Sequence, residues 1–121
     1  MHVSMTYLEA GDEVLIPNPG YPAYRAAALL AGATPVAYPL AEATGWLPDL
    51  AALAQQDLRR TKLMWVSYPH MPTGAPAHPA FFAELVNFAR AHNILLVNDN
   101  PYSFVLNDQP LSLLSAAGAK D

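Results

Sequence analysis

Three short apolar runs in this chain end in the same way. Val14-Leu15-Ile16 opens into Pro17-Asn18-Pro19-Gly20-Tyr21-Pro22. Leu63-Met64-Trp65-Val66 opens into Ser67-Tyr68-Pro69-His70-Met71-Pro72-Thr73-Gly74. Ile94-Leu95-Leu96-Val97 opens into Asn98-Asp99-Asn100-Pro101-Tyr102. An apolar run without polar interruption reads as a strand buried on both faces, the kind found in parallel sheets. Helix-forming segments lie between the runs. Tyr24–Ala31 is rich in alanine and leucine, with Gly32 placed as its C-cap. Asp49 is placed to cap a helix over Leu50–Leu58, and Arg59-Arg60 near its end suit the helix dipole. Between Pro79 and His92, the residues Phe81, Phe82, Leu85, Val86, Phe88 and Ala89 make an i, i+3, i+4 apolar face. Thr34–Leu40, tipped by proline, reads as a strand near an edge. Residues 1–9 read as the end of a helix and Phe104-Val105-Leu106 as a further short strand, while Pro110–Asp121 has no clear pattern.

The order β-α-β-α-β-α-β predicts an α/β fold: a mainly parallel sheet with right-handed crossovers and helices on both faces, in one domain. Parallel strands send all their carboxyl ends to one edge, which is where open α/β sheets bind ligands. The polar loops Asn18–Tyr21, Ser67–Gly74 and Asp99–Tyr102 should therefore meet. Asp99 at the mouth of a hydrophobic strand is costly to bury without a partner. That partner is a backbone N–H, an arginine, a metal or a protonated ring nitrogen of a ligand. The plainer alternative makes Asp99 a turn cap, Pro101 a strand stop and Tyr21 a packed loop tyrosine.

Composition narrows the function. Apolar residues make up 53% of the 121, only 13% are charged, and the net charge is −4. So apolar a chain needs heavily buried strands or a surface meant for a partner. It has no basic patch for nucleic acid, no cysteine for thiol chemistry and no apolar run near membrane-spanning length, and residues 1–8, without a basic flank or a long apolar core, do not read as a signal peptide. A cytoplasmic protein is the expectation. The G-x-G-x-x-G, P-loop and G-x-S-x-G fingerprints are absent. His70, His78 and His92 lack metal-site spacing. Ser67, His70 and Asp99 make a poor hydrolytic triad, because Ser67 and His70 share one loop and no sharp turn displays the serine.

Four segments in order carry a resemblance: Gly11-Asp12-Glu13-Val14-Leu15, Pro17-Asn18-Pro19-Gly20-Tyr21-Pro22, Pro72-Thr73-Gly74 and Asp99-Asn100-Pro101-Tyr102. Together they resemble the class I/II aminotransferases, pyridoxal-phosphate enzymes of fold type I, in the branch that includes LL-diaminopimelate aminotransferase. The resemblance implies amino-group transfer between an amino acid and a 2-oxo acid, and a homodimer at full length. It implies that Asp99 pairs with the pyridinium nitrogen of pyridoxal 5'-phosphate, keeping the ring protonated as an electron sink. Tyr102 would hydrogen-bond the cofactor's phenolic oxygen, Tyr21 would stack on the ring, and Pro72-Thr73-Gly74 would shape the loop beneath it. The family usually carries asparagine before Pro-Thr-Gly. Here that residue is Met71, which cannot donate. This leaves His70 or Ser67 as the donor, or Tyr102 acting alone.

The resemblance also implies a Schiff-base lysine. Lys62 lies at the amino end of a strand, and Lys120 matches no cofactor-lysine motif. The phosphate-binding glycine loop would lie upstream of Met1, and the carboxylate-binding arginine far downstream. The expectation is that residues 1–121 are the central part of a large domain, truncated at both ends and inactive alone. The other readings are a fold-type-I carbon–sulfur lyase, a non-catalytic α/β binding or assembly module, and a hydrolase using Ser67 or His70.

Overall fold

The computed structural model describes residues 1–105 and 107–120. Its centre is β3 (Thr61–Val66), which has no proline or glycine and only one charged residue. On one side lies β1 (Glu13–Asn18), with β2 (Thr34–Pro39) beyond it. On the other lies β4 (Leu95–Asn98). The order is β2-β1-β3-β4 and every pairing is parallel. The helices are α1 (His2–Tyr7), α2 (Pro22–Leu30), α3 (Leu50–Leu53) and α4 (Pro79–Ala91), with 3-10 turns at Glu42–Thr44 and Leu113–Ser115.

Strand alternation divides the core into two layers. Leu15, Met64 and Val66 face α4, packing with Phe82, Leu85 and Val86. Val14, Ile16, Leu63 and Trp65 face the opposite way, packing with Tyr24 and Ala28 of α2 and with Leu8. Helices thus cover both faces, as the element order predicted. Leu85, Leu63, Met64, Val66 and Val14 are fully buried, so neither layer has slack.

The structure departs from the sequence reading in five places. β1 runs on through Pro17 and Asn18, which pair with Tyr38 and Pro39 of β2. Pro17 is tolerated because β3 pairs with β1 only as far as Leu15, so the missing N–H falls beyond that ladder. α3 is one turn, not two. Asp49 does cap it, accepting from the Ala52 N–H at 2.9 Å, but the chain then turns so that Leu58 enters the core. The two arginines serve no helix end: Arg59 pairs with Asp57 and Arg60 with Glu13, each at 2.6 Å. β4 is not buried on both faces. It is a sheet edge, and Leu95 is 39% exposed. Finally, Phe104 and Val105 lie in a turn, closed by the Val105 N–H on the Tyr102 carbonyl at 3.0 Å, and both are exposed. Leu106, the rest of that expected strand, lies outside the described residues.

Truncating Leu85 to alanine should cost about 2–5 kcal/mol, the range for a fully packed leucine. Glu84→Ala on the exposed side of α4 should stay within about 0.5 kcal/mol. Urea midpoints of the two variants test this difference.

Candidate active site

The carboxyl ends of β1, β3 and β4 come together through the ends of the ladder itself. One residue past β4, the Asp99 N–H donates to the Val66 carbonyl at 2.9 Å. One residue before it, the Asn98 amide takes over the role of a peptide. Its Oδ1 accepts from the Tyr68 N–H at 2.9 Å, and its Nδ2 donates to the Tyr68 carbonyl at 3.3 Å. Two neighbouring residues at the end of β4 thereby fix where the loop after β3 begins.

Asp99 is held from across the sheet edge. Its Oδ2 accepts from the Tyr24 hydroxyl at 2.8 Å. Tyr24 sits in the first turn of α2 and is itself clamped. Its ring stacks on Trp65 at 4.9 Å and 12°, and Tyr21 meets it edge-on at 5.8 Å. Burial, then the bond to the Asp99 carboxylate, pushes the Tyr24 phenol far above the usual tyrosine range. It remains a donor at every physiological pH. The Ser67 hydroxyl acts on the same phenol in the opposite sense.

A cavity of about 320 Å³ opens beside this pair, lined by Tyr21, Tyr24, Ser67, Met71, Asp99, Pro101 and Tyr102. Tyr21 and Tyr102 are half exposed and present their rings to its mouth, whereas Ser67 is buried. Of the residues singled out from the sequence, Asp99, Tyr102 and Tyr21 thus share one cavity. His70 does not line it. Its ring is only 2% exposed, and Nδ1 lies 2.7 Å from the Thr73 hydroxyl. Burial lowers its pKa. Ser67, His70 and Asp99 form no relay among the described residues, because Tyr24 engages Asp99 and Thr73 engages His70. A larger hollow of about 560 Å³ lies near Lys62 and α4, at the opposite edge of the sheet. Its wall is mainly apolar and gathers no comparable set of polar groups.

Tyr24 and Asn98 are the residues that sequence reading missed. Tyr24 read as a helix former. Its spacing of three from Tyr21 was the available signal, since that spacing puts both rings on one side of a helix start. Asn98 read as a strand end, and nothing local distinguishes an amide that bonds a distant peptide from one in water.

A carboxylate braced by a neutral phenol, in a cavity wall shared with aromatic rings, favours a flat cationic heterocycle. Tyr24→Phe should lower stability by about 1–3 kcal/mol, since it removes a bond to a charged acceptor; thermal unfolding reads this directly. A second expectation concerns acid. Burial holds the His70 pKa in the fold below that of the unfolded chain, so in the range where the unfolded imidazole takes up its proton, about pH 6.5 and below, the unfolded state binds more protons. Stability should fall as pH drops through that range and be insensitive to His70 above it. Melting curves from pH 5 to 8 should show a smaller acid loss in His70→Asn than in the parent.

Residues 2–119 match the family described as aminotransferase class I and II. The chain is 44% identical to LL-diaminopimelate aminotransferase of Desulforudis audaxviator (strain MP104C) over 99% of its own length and 31% of that protein. It is 39% identical to the enzyme of the same name from Aquifex aeolicus (strain VF5), over 99% of this chain and 32% of that one. Among solved structures, apo-BacF from Bacillus subtilis superposes with a TM-score of 0.88 at 40% identity, covering 98% of this chain and 30% of that one. A probable N-succinyldiaminopimelate aminotransferase from Thermus thermophilus gives 0.87 at 36%, covering 98% and 32%. The chain thus spans about a third of the length of these relatives. In family match, element order and sheet topology alike, it belongs to the class I and II aminotransferases, of fold type I.

Proposed function

We propose that residues 1–121 are the cofactor-cradling part of the large domain of a pyridoxal-phosphate-dependent aminotransferase. The whole protein would move an amino group between an amino acid and a 2-oxo acid, as a homodimer in the cytoplasm. Among the described residues no helix is long and apolar enough to cross a membrane. The observation that carries the reading is the state of Asp99. Its Oδ2 is taken by Tyr24, and among the described residues no protein group donates to Oδ1. A carboxylate so placed suits a protonated pyridine nitrogen.

The donor set fits the cofactor. Asp99 would hold the proton at the ring nitrogen, and Tyr24 would keep the carboxylate from turning away. Tyr21 would cover one ring face, excluding water from it. Tyr102 would donate to the phenolic oxygen. Met71 lies in the cavity wall and offers only a thioether, so Tyr102 is the principal donor there. When bound, the cofactor supplies an electron sink for the substrate's α-carbon. Neither lysine of the chain serves this edge. Lys62 is at the amino end of β3. Lys120 follows Gly118, whose carbonyl is held by Arg90 at the end of α4. The 121-residue chain by itself is therefore assigned non-covalent binding and no turnover.

Pyridoxamine 5'-phosphate is the appropriate probe, because it needs no lysine. It should quench tryptophan fluorescence through Trp65, which lies under Tyr24. Asp99→Asn should weaken its binding at least about tenfold, as loss of a charge-assisted pair does. The Asp99→Asn/Tyr102→Phe double variant should abolish binding. Unchanged affinity in the double variant would refute the assignment. A folded parent chain that binds no probe would instead leave an α/β binding or assembly module.

A further inference from the structure

His70 is only 2% exposed, yet it does not line the cavity and the chemistry above makes no use of it. Its backbone closes the loop after β3 at both ends. The His70 N–H donates to the Ala75 carbonyl at 2.8 Å, and the His70 carbonyl accepts from the Gly74 N–H at 2.7 Å. Its ring closes the same loop a third time, through Nδ1 and the Thr73 hydroxyl at 2.7 Å. That hydroxyl already accepts the Ala75 N–H at 3.3 Å. Its own proton is therefore directed to Nδ1, which leaves the neutral ring protonated at Nε2.

Nε2 is buried and has no hydrogen-bond partner among the described residues. The polar group acting on the ring from outside its own loop is the Pro19 backbone, in the loop after β1. That loop cannot easily retreat. A Cβ on Gly20 would fall 2.5 Å from the Pro17 carbonyl oxygen, so the chain there is folded back on itself. The loop after β1 carries Tyr21 and the loop after β3 carries Met71. The two residues are walls of the same cavity.

We propose that His70 is a positioning residue that sets the width of the cavity, by closing the Met71 loop through Nδ1 and facing the Tyr21 loop through Nε2. For its link to ligand binding, this rests on the cofactor reading above. A ring trapped between Thr73, the Pro19 carbonyl and the ring of Tyr68 at 5.8 Å has no charged neighbour acting on it among the described residues. Adding a proton at Nδ1 forces Thr73 to turn, so the wall should loosen in acid.

The test separates the two nitrogens. Asparagine at position 70 places an acceptor where Nδ1 stands but has nothing to reach toward Pro19; phenylalanine fills the space, accepts nothing from Thr73 and turns no polar atom toward Pro19. Methyl-labelled methionine and ring-labelled tyrosine report each wall by NMR. His70→Asn should move the Tyr21 resonances and leave the Met71 methyl in place. His70→Phe should move both, and Thr73→Val should move Met71. Pyridoxamine 5'-phosphate affinity should fall about tenfold in His70→Phe, the scale of one lost hydrogen bond. In the parent, the Tyr21 and Met71 resonances should shift together as His70 takes up its proton in acid, and His70→Phe should abolish this. If Tyr21 is unmoved in both His70 variants, the bridge is overturned, whatever the probe does. If the resonances respond as described but the parent binds no probe, the cofactor reading fails and the bridge stands.

Discussion

The site depends on how the β3–β4 ladder ends. In a regular parallel pair the last peptide is followed by a loop with no fixed direction. Here Asn98 substitutes its side-chain amide for one more rung, gripping both the N–H and the carbonyl of Tyr68. Asp99 meanwhile adds a backbone rung to Val66. A hydrogen bond to a peptide nets little stability, but a buried peptide left without partners costs more. The loop after β3 therefore has one starting point, and the residues that follow inherit it.

From that fixed start the site is assembled by mutual support between the two faces of β3. Trp65 packs toward α2, and its ring is the floor under Tyr24. Its carbonyl takes the hydroxyl of Tyr38 at 2.6 Å, so the same residue is tied into the β2 side of the sheet. Burial raises the Tyr38 phenol, as it does those of Tyr24 and Tyr68. Three tyrosines near this edge are thus kept as neutral donors. None competes with Asp99 for negative charge, and the carboxylate is the one formal charge on the cavity wall.

Much of this was legible in the sequence. The alternation of apolar runs with amphipathic segments pointed to the parallel order, and the repeated ending of strands in proline-stiffened polar loops pointed to the edge. Asp99, Tyr21 and Tyr102 were legible as neighbours because topology alone brings strand ends together. What was not legible depends on partners distant in sequence. Tyr24 meets Asp99 across 75 residues, and its own neighbourhood says only "helix". The apolar run at 94–97 reads the same whether it is central or marginal in a sheet, so burial on both faces does not follow from it. His70 read as a loop residue and a candidate donor to the cofactor. A tight loop folded over its own histidine has no local signature beyond the Thr73 three residues on.

The two margins of the sheet differ in kind. β2 has proline at 35 and 39, so two of its six residues have no N–H to offer. β4 has none, and its rim is flanked by exposed Leu95 and Leu114. The sheet is therefore a one-sided template: any strand that joins it, native or foreign, is received at β4 and discouraged at β2. Growth from this unit has a direction written into it, and two copies that met at β4 would end the shared sheet with a proline-bearing β2 at each outer edge.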